Sequence, residues 1–332
     1  MKNKITVTGA NTLFFIFVVL FLIFQVVLVA FSAFYGVDFI DRNIYDILLV
    51  NQYILILIPV LLFVLVRRLD FRDIFRINGI GLLPAVLIIL CSLPAYLAAN
   101  FINMLVIYLL QFIGNIPTQP IPVPQNFYEL AVGILIVAVS PAICEEMLHR
   151  GVLLRAYEKR GTMKALVITS IIFGFFHFDV TNFFGPVFLG LLIGYYVIRT
   201  NSIFAGVLAH FLNNAIAEIL QFISRSEGPA PKTITIPLFD LGVSFAYGII
   251  GVFFLWLLLT AFRRVTEGKS IINPPITNYW NDFVSVISHW PIITVLVLYM
   301  LLGGLYLLTI IADKFELLDS LAALSQISTF LF

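Results

Sequence analysis

Long apolar stretches separated by short loops limit what this chain can fold into. Candidate spans fall at 12–35, 46–67, 80–113, 128–157, 163–178, 184–199, 202–222, 238–262 and 291–312. A helix needs ~20 apolar residues to cross a bilayer at its 1.5 Å rise. In hydrocarbon the backbone must satisfy its own hydrogen bonds, and within one continuous run only a helix does so. The composition agrees: 61% of residues are hydrophobic and 11% are charged, against ~25% charged in a soluble domain. The expected fold is an all-α, polytopic helical membrane protein with about eight to nine transmembrane helices. A formal net charge of +1 gives no basic excess for nucleic acid, and none is expected as a partner. Cys91 and Cys144 lie in apolar runs and read as small buried hydrophobes, with no disulfide framework.

The 80–113 run is long enough to be one tilted helix broken near Pro94 or two short ones, and charge bears on the choice. Counted once, it puts Lys2, Lys4, Arg67, Arg68, Arg72, Arg76, Arg155, Lys159, Arg160, Lys164, Arg199, Arg263, Arg264 and Lys269 on one side. Arg42, Arg225, Lys232 and Lys314 fall on the other, and Arg150 inside. The positive-inside rule then makes the N-terminus cytoplasmic in a multi-pass cell-membrane protein. The apolar run after the N-terminus is too long for a typical cleaved signal and reads as a retained anchor. The expected organisation is N-terminal transmembrane helices over 1–127, a four-helix core over 128–222, and C-terminal helices over 223–332. Within the last part, residues 276–290 carry Tyr279, Trp280, Phe283, Val286, Ile287 and Trp290, the pattern of an amphipathic interfacial segment. The proline-rich, uncharged loop 114–126 reads as an ordered external cap.

Against this background, Glu145-Glu146-Met147-Leu148-His149-Arg150 is anomalous. Ionisable groups at the centre of a membrane helix cost roughly 2.5–3.5 kcal/mol each and are rare unless functional. Phe173-Gly174-Phe175-Phe176-His177 and His210-Phe211-Leu212-Asn213-Asn214 repeat the anomaly, so three of the 4 histidines lie in apolar surroundings. Measured from the cationic side, Glu145 and Asn214 lie ~20 Å along their helices, His177 ~22 Å and His210 ~14 Å. Residues four apart share a helix face. That relation joins Glu146 to Arg150 as an ion pair, Glu145 to His149, and His210 to Asn214. His149 is nearer the cationic edge and is assigned a supporting role. His289 reads as structural, and Glu218 and Gln221 as snorkelling at the outer edge.

Glu-Glu-x-x-x-Arg on one helix, Phe-x-x-x-His on the next and His-x-x-x-Asn two helices later together resemble the CPBP family of CAAX prenyl endopeptidases and bacterial Abi-type proteins. The matching residues are Glu145, Glu146 and Arg150, then Phe173 and His177, then His210 and Asn214, within roughly 128–222. The resemblance implies an intramembrane endopeptidase in which Glu145 and His177 activate a water and His210 and Asn214 steady the oxyanion. The residue types fit that chemistry, since amide hydrolysis needs a base, an acid for the leaving amine and donors for the tetrahedral oxyanion. Glu146, Arg150 and His149 would support them.

The rival mechanism is metallic. Glu145, His177 and His210 make a His₂Glu set of the kind that binds zinc, but no His-Glu-x-x-His motif is present. A cofactor-free glutamate mechanism is therefore favoured over zinc. Substrates would be membrane-embedded peptides or proteins, with peptide pheromone or bacteriocin processing, or immunity, preferred to prenylated tails. The alternative is a non-proteolytic binding protein that modulates a membrane partner such as a sensor kinase. A transporter ranks third, because no inverted repeat is visible.

Overall fold

The computed structural model describes residues 5–36, 38–118, 122–225, 233–270 and 272–315. Lys2, Lys4 and Lys232, part of the charge argument, lie outside the described residues, as do 119–121 of the predicted cap. Ten helices matter here: α1 (Val7–Tyr35), α2 (Ile44–Val66), α3 (Leu82–Leu110), α4 (Phe127–Arg160), α5 (Thr162–Phe176), α6 (Phe184–Thr200), α7 (Ile203–Ser224), α8 (Leu238–Val265), α9 (Tyr279–Ile287) and α10 (Trp290–Lys314). Seven of them are long and apolar enough to cross a membrane, while α5 and α6 are shorter apolar helices. The protein is a polytopic helical membrane protein.

The 80–113 run forms one helix with Pro94 inside it. Proline deletes one backbone donor and kinks a helix without necessarily ending it. The neighbouring helix packs onto the same stretch: a Cβ on Gly251 of α8 would sit 2.6 Å from the Pro94 carbonyl. Only glycine permits that approach. Two large apolar cores result, beside a small one of Leu28, Ile40 and Ile44. One joins α1, α2, α4, α5 and α10 through residues such as Phe14, Ile56, Leu148 and Val295. The other joins α3, α6, α7 and α8 through Ile88, Tyr196, Ala205 and Phe262.

The cationic residues gather at one end of the bundle. There Arg76 pairs with Glu158, Arg155 with Asp73, and Lys164 and Arg160 with Asp282. Asn78 donates to the Asn201 carbonyl at 2.7 Å, and Arg199 to Thr266 at 3.0 Å. The opposite end is closed by a two-residue antiparallel bridge between β1 (Ile116–Pro117) and β2 (Thr233–Ile234), with Gln111 bonded to Ile236 in both directions. The predicted interfacial segment contains α9, whose Asp282 ties it to the base of α5. The side chains of Tyr279, Phe283 and Ile287 lie outside the described residues.

Helices α5 and α6 form a re-entrant hairpin whose two ends both lie at the cationic end. Fifteen residues of α5 reach only ~22 Å, so its tip stops inside the bundle. Asn103 of α3, seven residues before that helix ends, donates to Asn182 Oδ1 at 2.7 Å and accepts from Gly185 N–H at 3.0 Å. Asp179 Oδ1 accepts from Thr181 N–H and Oγ1, both at 2.7 Å. Irregular backbone at membrane depth survives where protein groups satisfy it in this way.

Candidate active site

Three π-helical stretches surround the polar centre: Val50–Leu57 in α2, and Ile134–Val139 and Met147–Leu153 in α4. Such wide turns are rare and concentrate where a helix must redirect side chains. The first two run up to Pro59 and Pro141, which cannot donate backbone N–H groups. Pro141 lies four residues after Val137 and so withholds the usual helical bond from its carbonyl. Asn214 Nδ2 of α7 donates to that carbonyl at 3.0 Å.

Glu145 and Glu146 sit between the second and third wide turns, 5% and 0% exposed. Glu146 is saturated on one oxygen, where Oε1 accepts from Arg150 Nη1 at 2.9 Å and from His210 Nδ1 at 2.9 Å. Arg150 also donates to the Gly190 carbonyl at 3.3 Å and lies 4.5 Å above the Phe173 ring. Gly206 makes room for this on α7, since a Cβ there would meet Glu146 Oε2 at 2.9 Å. The buried charges of Glu146 and Arg150 are thus paired, which their burial demands.

Glu146 Oε2 has no hydrogen-bond partner, and Glu145 is likewise bonded through one oxygen only. Its Oε1 accepts from Gln52 Nε2 at 2.8 Å. Its Oε2 is buried, has no hydrogen-bond partner in the protein, and lies 4.0 Å from His210 Nε2. That gap is too long for a direct bond, but two ~2.8 Å bonds meeting at one water span ~4.0–4.6 Å.

Both histidines are held through Nδ1. His177 Nδ1 lies 2.8 Å from the Phe173 carbonyl, which only accepts, so Nδ1 carries the proton and Nε2 keeps a lone pair. His177 is within electrostatic range of Glu145 and His210. His210 Nδ1 faces a carboxylate and also carries a proton. His210 Nε2 faces the open oxygen of Glu145.

The structure therefore brings Glu145, Glu146, Arg150, His177 and His210 together around Phe173. Asn214 is on the same helix as His210, with one amide N–H spent on Val137 and its Oδ1 accepting from Asn213 at 3.1 Å. His149 makes no hydrogen bond to Glu145 despite the four-residue spacing. It packs edge-on against Phe14, Phe173 and Phe176, 0% exposed, with neither ring nitrogen hydrogen-bonded. Glu218 does not snorkel: it is 2% exposed, with Oε2 unpartnered, against Gly133. His289 caps α10 and bonds Asn11 through Nδ1 at 3.2 Å. Gln52 was missed by sequence reasoning. The available signal was Asn51-Gln52, two adjacent amides inside an apolar run.

Among the described residues, no three His, Cys, Asp or Glu side chains are grouped so as to hold a metal ion. A cleft of about 500 Å³ lined by Ile168, Ile171, Ile172, Phe175 and Leu296 lies along α5 but does not include Glu145, His177 or His210.

Residues 127–216 match the family model for Rce1-like type II CAAX prenyl endopeptidases. This segment is similar to the CPBP/CAAX intramembrane proteases. Every polar residue carried over from the motifs, Glu145 through Asn214, lies inside the matched CAAX-protease segment. Gln52 and Phe14, which contact its polar centre, lie outside. The chain has no match among curated proteins and none among solved structures.

Proposed function

We propose that this protein is an intramembrane endopeptidase that hydrolyses peptide bonds with a water activated by Glu145 and His177. The observation that carries the reading is the unpartnered, buried Glu145 Oε2, held 4.0 Å from His210 Nε2 by a carboxylate whose other oxygen is occupied. A buried acceptor left open costs ~1–3 kcal/mol, and a site that receives water and substrate has a use for it.

Glu145 Oε2 takes a proton from the water, while His177 Nε2 accepts the other O–H and aims the oxygen. The hydroxide formed attacks the scissile carbonyl carbon. His210 Nε2–H and the remaining Asn214 Nδ2–H stabilise the oxyanion. Glu145 then returns its proton to the amide nitrogen as the C–N bond breaks, and the new carboxylic acid passes its remaining proton to the released amine, leaving a carboxylate and an ammonium. Glu146 and Arg150 hold His210 in register and do not touch the reacting atoms. The cationic end faces the cytoplasm, following the positive-inside rule, and substrates are membrane-associated peptides or protein tails.

The test is cleavage of internally quenched peptides by purified protein in lipid vesicles, using one peptide with an S-farnesylated cysteine near its C-terminus and one apolar unmodified peptide. Each is run with and without a strong chelator. Cleavage of either peptide that survives chelation supports the glutamate mechanism. Loss of activity on chelation, restored by zinc, moves the assignment to a metal. No cleavage of either peptide favours the non-proteolytic binding reading.

A further inference from the structure

Gln52 lies on α2, far from the segment that matches the protease family, yet its amide is bonded to the central carboxylate. Gln52 is 6% exposed, and Nε2 donates to Glu145 Oε1 at 2.8 Å. The amide's orientation follows from its partner, because a carboxylate oxygen only accepts. Gln52 Oε1 consequently points elsewhere, and it is buried with no hydrogen-bond partner.

We propose that Gln52 is a positioning residue for the hydrolysis assigned above, fixing Glu145 so that Oε2 is the oxygen that takes the water's proton. The inference rests on that functional reading. A carboxylate free to rotate about its last torsion presents either oxygen, since that torsion is broad and roughly two-fold. The Gln52 N–H bond removes the ambiguity by occupying Oε1. It leaves the free lone pairs on the oxygen that faces His210. The π-helical stretch Val50–Leu57 and Pro59 place Gln52 at this point on α2, and the Tyr53 hydroxyl, 3.2 Å from Ser140 Oγ, ties the same turn to α4. Gln52 Oε1 remains available to accept from a donor that arrives with water or substrate.

A purely structural amide predicts something different. Replacing it with an apolar side chain of similar length would change stability and activity together. A positioning amide predicts that kcat falls alone.

The experiment measures kcat, KM and melting temperature for Gln52→Met and Gln52→Glu, using whichever quenched peptide the wild type turns over. Methionine keeps the length and removes the donor. Glutamate keeps the shape and replaces the donor with a second carboxylate. The expected result is a ~10- to 100-fold lower kcat for Gln52→Met, a larger loss for Gln52→Glu, unchanged KM, and a Gln52→Met melting temperature at or above wild type. Full kcat in Gln52→Met, with Glu145→Gln inactive, overturns this inference and leaves the proposed function standing. A kcat loss that merely tracks a fall in melting temperature also overturns it. Activity in Glu145→Gln itself removes the functional reading and this inference with it. Should Gln52→Glu fail to fold, Gln52→Met alone decides.

Discussion

Two buried carboxylates flank α5 and are handled in opposite ways. At its base, Asp282 Oδ1 accepts from Arg160 at 2.9 Å and from Thr277, while Oδ2 accepts from Lys164. Near its tip, Glu145 has one oxygen bonded to Gln52 and the other bonded to nothing. Burial alone would raise the Asp282 carboxyl. The hydrogen bonds from Lys164, Thr277 and Arg160 outweigh it and hold the group down to about 2. A saturated carboxylate is a fastener, and its removal should be felt as lost stability. An open one does not repay its burial within the protein, and its removal should be felt as lost turnover.

The sharpest way to break that contrast is Glu145→Gln. The amide keeps the shape and cannot accept the water's proton, so kcat should fall by at least ~10²–10⁴-fold with the melting temperature unchanged. Near-native turnover in a cleavage assay would end the general-base assignment. Arg150→Ala belongs on the fastener side although it sits in the site. It strands Glu146 in the interior, at ~3–5 kcal/mol in the buried limit, so thermal stability in detergent and activity should drop together. Activity lost at constant stability would mean that Arg150 contacts substrate.

Asn214 tests the boundary between the two classes. As an oxyanion donor its loss costs ~2.7–4 kcal/mol of barrier, a 10²–10³ fall in kcat. As a tie to the Val137 carbonyl alone it is worth ~0.6 kcal/mol of stability. Asn214→Ala should show the first, and a variant that loses stability without losing kcat would confine Asn214 to the tie. The smallest effect concerns Asp282. A folded-state value below the ~3.9 of an unfolded aspartate gives stabilisation that is complete above that value and lost as the pH falls towards about 2. Asp282→Asn should lower the melting temperature near neutral pH while leaving kcat in place, and the gap from wild type should narrow below about pH 4. A gap that is constant with pH would show that the carboxylate charge is not what fastens α9 to α5.

These contrasts were only partly legible in the sequence. The helices were readable because apolar length is a local property, whereas one helix or two over 80–113 stayed open in the sequence and the structure shows one. Glu145, Glu146, His177 and His210 stood out as ionisable groups in hydrocarbon, where each must be justified individually. Gln52 did not stand out, because an uncharged amide carries a smaller insertion cost and attracts less notice. The Glu145–His149 spacing yields no hydrogen bond: the shared-face rule assumes a regular α-helix, and the π-helical stretch Met147–Leu153 changes the angle per residue. Glu218 was misplaced because depth along a helix does not say which neighbour covers a side chain, and Gly133 covers this one.

The α5–α6 hairpin bears on how the chain enters a bilayer. Its arms of 15 and 17 residues reach ~22 and ~26 Å, short of the ~30 Å hydrocarbon core, so neither is an autonomous stop in the translocation of the chain. The tip carries Asp179 and Asn182, and its resting place is built by Asn103 from one side and by the Tyr299 hydroxyl, 3.4 Å from the Asp179 carbonyl, from the other. Tyr299 is supplied by α10, which emerges well after the hairpin during synthesis. Insertion and assembly are therefore not separable stages for this element. His177 reaches its working position only as the bundle closes around it, and until then the chain has a carboxylate pair but no complete centre.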